Sequence, residues 1–151
     1  MSWFRPMPTT ALPRSAPRWE GEKSAARVLV EHPDPLLREG IREVLTDAGY
    51  EVVTCGGPHA SDVPGASCPL LRQEPCPAVN GADVVFSGLK LRDQVSRMIL
   101  RRIAKDPCRP LVLAAPQREV DEHVPAVTDH VVFPLGSRRI VQQIDELTAD
   151  R

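Results

Sequence analysis

The chain has 151 residues, a net charge of −1 and an aromatic share of 4%. This length suits one domain with tails, and the near-neutral charge argues against direct nucleic-acid binding, because phosphate binding depends on a basic surface. No apolar run approaches about 18 residues and no hydrophobic leader precedes a cleavage site. We therefore expect a soluble, cytoplasmic protein with no membrane segment.

Residues 1–24 show no sustained periodicity and contain four prolines. Such a composition is typical of a disordered segment, so the sequence predicts a disordered N-terminal arm followed by one domain over residues 25–151. Trp3, Phe4 and Trp19 are unusual in an arm of this kind. These aromatic residues either rest loosely on the domain or act as docking anchors.

Residues 27–55 are predicted to form a strand, a helix and a second strand. The run at 28–30 is continuously aliphatic, as expected for a strand that is buried on both faces of a parallel sheet. Asp34 and Pro35 suit the first turn of a helix, and Gly49 suits its end. The predicted apolar stripe of this helix consists of Leu36, Leu37, Ile41, Val44, Leu45 and Ala48.

The segment at residues 56–81 is rich in proline, glycine and cysteine. Its prolines leave room for no more than a turn of helix, near residues 69–73. A loop of this length inside a compact domain is uncommon, and such loops are usually functional or disordered. We therefore regard this segment as the first place to look for chemistry.

The second half of the chain continues the alternation of strands and helices. Strands are predicted at residues 82–86, 110–115 and 130–133, and helices at residues 91–105, 119–123 and 137–148, with Ser137 as the cap of the last helix. Alternation of this kind predicts an open parallel sheet that is covered on both faces.

The helix at 91–105 has an apolar stripe and a strongly basic remainder. The stripe consists of Leu91, Val95, Met98, Ile99 and Ile103, and the basic residues are Lys90, Arg92, Arg97, Arg101, Arg102 and Lys105. The only acidic residues within residues 90–106 are Asp93 and Asp106. A solvated charged surface explains this pattern, and an acidic partner is the alternative.

The sequence at residues 32–54, HPDPLLREGIREVLTDAGYEVVT, resembles the corresponding run of response-regulator receiver domains. The resemblance covers about residues 27–148. It implies a CheY-like, flavodoxin-like α/β fold, a doubly wound sheet of five parallel strands in the order 2-1-3-4-5. The Pro/Gly/Cys-rich loop would then largely replace the second helix of that fold.

Receivers are phosphorylated on an aspartate after the third strand, with an acidic pair for Mg²⁺, a Thr or Ser, and a Lys around it. The resemblance places His32 and Pro33 at the acidic pair, Gly88 at the phosphoacceptor, Ala115 at the Thr/Ser position and Phe133 at the Lys position. Each of these substitutions removes a group that the chemistry needs. The resemblance therefore implies a degenerate pseudo-receiver.

Two residual features could still support receiver chemistry. A one-residue slip of the alignment would bring Ser87 to the acceptor position. Glu31 and Asp34 flank the positions of the acidic pair, so a remnant cation site is conceivable. Two carboxylates on a strand and a turn do not by themselves form the near-octahedral site that Mg²⁺ demands.

Four side chains form a candidate metal or thiol site. Cys55 follows the second strand, at the edge of the sheet where ligands collect in open α/β folds, and His59, Cys68 and Cys76 follow in the loop. Three cysteines and one histidine suit Zn²⁺ or an iron–sulfur cluster, although the spacing lacks a tight C-x2-C pair. Ordinary buried thiols and a redox-responsive pair are the alternatives.

The residues show no catalytic motif, so we expect no enzymatic activity. The resemblance implies a phosphorylation-independent domain of two-component signal transduction that acts through protein contacts. By the same resemblance, residues 111–134 are the expected surface for a partner protein or a homodimer. The alternative function is a small metal-binding or thiol-redox sensor that uses Cys55, Cys68 and Cys76.

Overall fold

The structure is a computed structural model that describes residues 17–58, 68–106, 108–123, 131–132 and 136–149. The strands are β1 (Arg27–Glu31), β2 (Glu51–Cys55), β3 (Val84–Ser87), β4 (Leu111–Ala114) and β5 (Val131–Val132). The helices are α1 (Pro35–Asp47), α2 (Pro77–Asn80), α3 (Gln94–Ile103), α4 (Gln117–His123) and α5 (Ser137–Thr148), and a 3-10 turn covers Pro69–Arg72.

The strands are parallel and lie in the order β2-β1-β3-β4-β5. An α/β fold with a parallel sheet was predicted, and the order of the first four strands agrees with the prediction. β5 consists of two residues that pair with the end of β4. Since all the strands are parallel, their carboxyl ends meet at one edge of the sheet.

Successive residues of each strand contribute to two different core layers, because strand side chains alternate between the faces of a sheet. One layer, the α1-side core, contains Val28, Val30, Leu45, Val84, Phe86, Val112, Ile140 and Ile144. The other layer, the α3-side core, includes Leu29, Val85, Leu111 and Leu113 with Ala78, Val79, Ile99, Leu100 and Ile103. Burial on both faces explains the continuous aliphatic runs of the strands.

The predicted apolar stripe of α1 is only partly correct. Asp34 caps the helix as predicted, since its carboxylate accepts a hydrogen bond of 2.9 Å from the backbone N–H of Leu36. Leu45 is buried, but Leu36 and Leu37 are 84% and 54% exposed, and Ala48 is exposed as well. α1 begins at the carboxyl edge of the sheet, so its first turn has little of the sheet beneath it.

The predicted apolar stripe of α3 is correct at three of its five positions, since Leu91, Ile99 and Ile103 are buried. The carboxylate of Asp93 caps the helix by accepting from the N–H and the hydroxyl of Ser96, so the helix begins later than residue 91. Ser96 and Leu100 complete the buried side, whereas Met98 is 39% exposed.

The expected cap of α5 is also wrong. The helix begins at Ser137 as predicted, but Gly136 occupies the capping position, with a φ of 92° and no side-chain hydrogen bond.

Residues 17–24, the described part of the predicted N-terminal arm, make specific contacts with the domain. Trp19 packs against the α3-side core, and its indole N–H donates a 2.9 Å hydrogen bond to the carbonyl of Ala78. The guanidinium of Arg27 lies 5.2 Å from the centre of its ring, within range of a cation–π contact. The other two aromatic residues of the arm lie in residues 1–16, outside the described part of the chain.

The proline-rich segment at residues 56–81 is described at residues 56–58 and 68–81. Its 3-10 turn and α2 each begin with a Cys-Pro pair, at Cys68 and Cys76, where proline suits a first helical position. α2 is four residues long, so this part of the crossover is short. Among the helices that the structure describes, none has the length and apolar character needed to cross a bilayer.

Candidate functional site

The candidate site lies at the carboxyl edge of the sheet, the edge where ligands bind in open α/β folds. His32 follows β1, Gly88 follows β3 and Ala115 follows β4. The parallel pairing of β1 with β3 aligns their last residues, Glu31 and Ser87. The structure therefore brings together the positions that the sequence singled out after the first and third strands.

The imidazole of His32 covers the backbone of Gly88. A Cβ atom on Gly88 would lie 2.9 Å from Nε2 of His32 and still closer to Cδ2, which is less than carbon and nitrogen atoms tolerate without a bond between them. Any side chain at position 88, including an aspartate, would collide with this ring unless the ring moved. The imidazole of His32 thus fills the space that a side chain at position 88 would need.

Backbone and side-chain hydrogen bonds hold His32 in this position. Its backbone N–H donates to the carbonyl of Cys55 at 3.0 Å, and the guanidinium of Arg38 donates to its carbonyl at 2.9 Å. Nδ1 accepts from the backbone N–H of Asp34 at 3.0 Å, so the proton of the neutral ring lies on Nε2. Gly88 is fixed in turn, because its N–H donates to the carbonyl of Glu31 at 2.7 Å.

The environment favours the neutral form of this imidazole. Desolvation by burial lowers the pKa of His32, and the charge of Arg38 lowers it further, against the opposing effect of Asp34. A neutral ring cannot replace the acidic pair of a receiver, since a hard divalent cation prefers carboxylate oxygens. Pro33 is exposed and offers no side-chain ligand.

Glu31 is the unexpected member of the site. Its side chain is 3% exposed, on the same face of β1 as Leu29, and its Oε1 has no hydrogen-bond partner among the described residues. Desolvation by burial raises the pKa of Glu31 to about 7, and a hydrogen bond from Ser87 partly offsets that rise. A buried carboxyl group without a full set of partners is costly when it is charged.

The two residual features predicted from the sequence serve other roles. Ser87 is 2% exposed, and its hydroxyl contacts Glu31 and accepts from the N–H of Leu89 at 3.3 Å. Asp34 uses its carboxylate to cap α1. Ala115 is buried in the α3-side core, and Phe133 lies outside the described residues.

Three of the predicted thiol ligands pack against the same core layer. Cys55 lies next to Glu31 in the register of β1 and β2, and the α3-side core includes Cys76 with Cys68 packed against it. Burial raises the pKa of Cys55 to about 12, and the nearby Glu31, Cys68 and Cys76 add to the rise. Burial also raises the pKa values of Cys68 and Cys76, so all three thiols are protonated at neutral pH.

A metal site is not formed by the side chains in the described part of the chain. No group of three or more His, Cys, Asp or Glu residues in that part is arranged to hold an ion. His59, the fourth predicted ligand, lies outside the described residues. Cys108 is exposed and precedes β4, so it lies at the opposite edge of the sheet from Cys55, as expected.

No family model and no curated protein matches this sequence, but solved structures of receiver domains are similar. A response regulator receiver domain protein from Clostridium thermocellum has 20% identity and a TM-score of 0.61, over 83% of this chain and 95% of that chain. The chemotaxis protein CheY4 of Vibrio cholerae has 18% identity and a TM-score of 0.59, over 82% and 99%. A putative pilus assembly protein from Burkholderia thailandensis has 18% identity and a TM-score of 0.61, over 82% and 98%.

At these identities the similarity establishes the fold. The chain has the CheY-like fold of response-regulator receiver domains, as the resemblance at residues 32–54 implied. The burial of Glu31 and the contact between His32 and Gly88 were not predicted from the sequence. The only signal for the former was an acid that directly follows an aliphatic run.

Replacing Gly88 with alanine should destabilise the protein by about 1–3 kcal/mol, because the new methyl group overpacks against His32. The destabilisation caused by Gly88→Ala should be smaller by at least about 1 kcal/mol in a His32→Ala background, because the imidazole is then absent. Urea denaturation of the four proteins of this cycle measures both values. Gly40→Ala is the matched control, because position 40 has open space and alanine favours a helix; equal costs for Gly88→Ala in both backgrounds would refute the contact.

Stability should fall as the pH rises from about 4.5 to about 7, because the folded state binds the Glu31 proton more tightly than the unfolded chain does. The shift corresponds to roughly 3 kcal/mol, and the loss should level off above pH 7. Denaturation at pH 5 and pH 8 measures this slope for the wild type, for Glu31→Gln and for the exposed control Glu43→Gln. Glu31→Gln should flatten the slope and Glu43→Gln should keep it; an unchanged slope in Glu31→Gln contradicts the assignment.

Proposed function

We propose that this chain is a phosphorylation-independent, receiver-like signalling or regulatory domain that acts through protein contacts rather than as an enzyme. The observation that carries the proposal is the imidazole of His32, which fills the space over Gly88. A receiver fold supplies the scaffold, and this contact removes the place where phosphoryl chemistry would occur on it.

The surroundings of that contact support the same proposal. Phosphoryl transfer depends on cations and hydrogen-bond donors aimed at the developing charge. In this chain a neutral histidine and a proline follow β1, and the methyl group of Ala115 stands where receivers have a hydroxyl. The nearest buried carboxyl group, Glu31, favours its protonated form below neutral pH because burial raises its pKa to about 7, and the protonated form is unsuitable for holding Mg²⁺.

The proposed partner surface comprises residues 111–134, through which the chain would bind another protein or a second copy of itself. The described part of this region includes α4, a helix with exposed polar residues around the buried Val120. The side chain of Glu119 faces Arg92 at 3.7 Å. Residues 124–130 lie outside the described part of the chain.

Acetyl phosphate with Mg²⁺ tests the proposal directly. The intact mass of the protein should stay unchanged, whereas an active receiver domain in the same reaction should gain one phosphoryl group. The matched variant carries His32→Asp, Pro33→Asp and Gly88→Asp. These substitutions remove the imidazole and place carboxylates at the acidic-pair and phosphoacceptor positions. A stable adduct of one phosphoryl group on the wild-type protein would overturn the proposal.

A second candidate function, a metal-binding or thiol-redox sensor, is favoured by one observation. Cys55, Cys68 and Cys76 come from separate segments and contact the same core layer, near the buried carboxyl group of Glu31. Zn²⁺ or an iron–sulfur cluster would be the cofactor of such a sensor, and thiolates would be its ligands. The raised pKa values of the three thiols favour packing over reactivity, because thiolates are the reactive form.

Thiol counting and metal analysis of the purified protein distinguish these candidates. Packed thiols should give four reactive cysteines after denaturation, no bound metal, and one fast-reacting thiol in the native protein, which Cys108→Ser removes. The sensor instead requires stoichiometric bound metal or a count of fewer than four thiols. This signal should disappear in a Cys55→Ser, Cys68→Ser, Cys76→Ser variant and should remain in Cys108→Ser. That second result would replace the leading proposal.

A further inference from the structure

Positive charge is concentrated on and around α3. Residues 90–109 contain seven basic and two acidic residues, whereas the remainder of the chain contains 12 basic and 18 acidic residues. Residues 90–109 therefore have a net charge of +5 (7 − 2), whereas the remainder has a net charge of −6 (12 − 18). Such asymmetry favours an oppositely charged partner at that place.

The buried side of α3 determines which of its residues face solvent. Ile99, Leu100 and Ile103 lie in the α3-side core, so the opposite side of the helix faces solvent. We name that side the α3 basic face and define it by Arg97, Met98, Arg101 and Lys105. Met98 is 39% exposed, and Arg101 and Lys105 are exposed too.

The cations of this face are not neutralised within the described part of the chain. The side chains of Arg101 and Lys105 make no ion pair or hydrogen bond there. The two acidic residues within residues 90–109 have other partners. The carboxylate of Asp93 caps α3, and that of Asp106 lies 3.3 Å from Arg109. Neither acid is left to balance the outward charges.

The helix dipole accounts for only part of this charge. Basic residues in the last turn of a helix, such as Arg101 and Arg102, are favoured by the dipole. Lys90, Arg92 and Arg97 lie before or early in α3, where the dipole disfavours cations. Arg92 lies 3.7 Å from Glu119 and Arg97 donates to the carbonyl of Leu91 at 3.0 Å, so local partners account for these two residues.

A cavity of about 450 Å³ lies at the C-terminal end of the same face, between α3, α2 and the 3-10 turn. Three basic residues, Arg102, Lys105 and Arg109, line it together with one acidic residue, Asp106. Arg102 donates to the carbonyl of Leu70, and Arg109 donates to the carbonyls of Ala82 and Asn80 at 3.1 and 3.2 Å. The arginines thus fix the cavity wall, while Lys105 keeps its charge available to a ligand.

We propose that the α3 basic face is a docking surface for a short acidic, amphipathic segment of a partner protein. An apolar side chain of that segment would contact Met98, whose flexible thioether adapts to varied partners. Its carboxylates would pair with Arg101 and Lys105 and reach the cavity. α3 has ten residues and is about 15 Å long, which matches a segment of a few turns or fewer.

A peptide fits this face better than nucleic acid does. The net acidic remainder of the chain repels a long polyphosphate, and an exposed methionine has no role in phosphate contacts. The proposed surface is separate from residues 111–134, so it stands whether or not that region binds a partner and whether or not the chain is phosphorylated.

A synthetic 12-residue amphipathic peptide of glutamate and leucine is the probe, and the full chain labelled with ¹⁵N is the receptor. Amide shifts should centre on α3, and the affinity should fall as salt is added. Arg101→Glu with Lys105→Glu should weaken binding by about tenfold or more, and Met98→Ala should weaken it severalfold. The same peptide with glutamine in place of glutamate should not bind.

Arg138→Glu with Arg139→Glu, on the exposed start of α5, is the matched control and should leave the affinity within about twofold. Both double variants change exposed side chains, and thermal melting confirms that they fold. Three results would overturn the proposal: no saturable binding of the peptide, equal losses in the two double variants, or tighter binding of a 12-base-pair DNA duplex that depends on Arg101 and Lys105.

Discussion

The contact between the His32 ring and the Gly88 backbone determines what this sheet edge can do. Parallel pairing of β1 with β3 brings the residues after both strands together, and the fold uses this geometry whatever residues stand there. A glycine on one strand makes room for an imidazole on the other. The backbone N–H of Asp34 donates to this ring and the guanidinium of Arg38 donates to the backbone carbonyl of His32, so hydrogen bonds and packing together hold the imidazole over Gly88.

Burial beneath this contact shifts the pKa values of the neighbouring side chains. Glu31 shares a row with Cys55 and Ser87, and burial favours the uncharged forms of the carboxyl group and of the thiol. A charged partner would reverse this preference. The same burial therefore favours the protonated carboxyl group of Glu31 and the protonated thiol of Cys55.

Local patterns in the sequence predicted the strands and α1, because aliphatic runs and the Asp34-Pro35 start depend on near neighbours. Features that depend on distant segments were missed. The burial of Glu31 is decided by the α3-side core above it, and the docking of Trp19 depends on a carbonyl 59 residues away. The start of α3 was predicted too early because the Asp93 cap, rather than the first apolar residue at position 91, sets where the helix begins.

The nuclear Overhauser effect between the Hδ2 proton of His32 and the Hα protons of Gly88 measures the central contact most directly. A strong effect is expected in the free protein, and it should persist when Mg²⁺ and beryllofluoride are added, with no change in the amide shift of Gly88. Absence of the effect, or its loss together with a saturable shift on adding those ions, would show that the edge is open and would contradict a receiver fold closed by histidine.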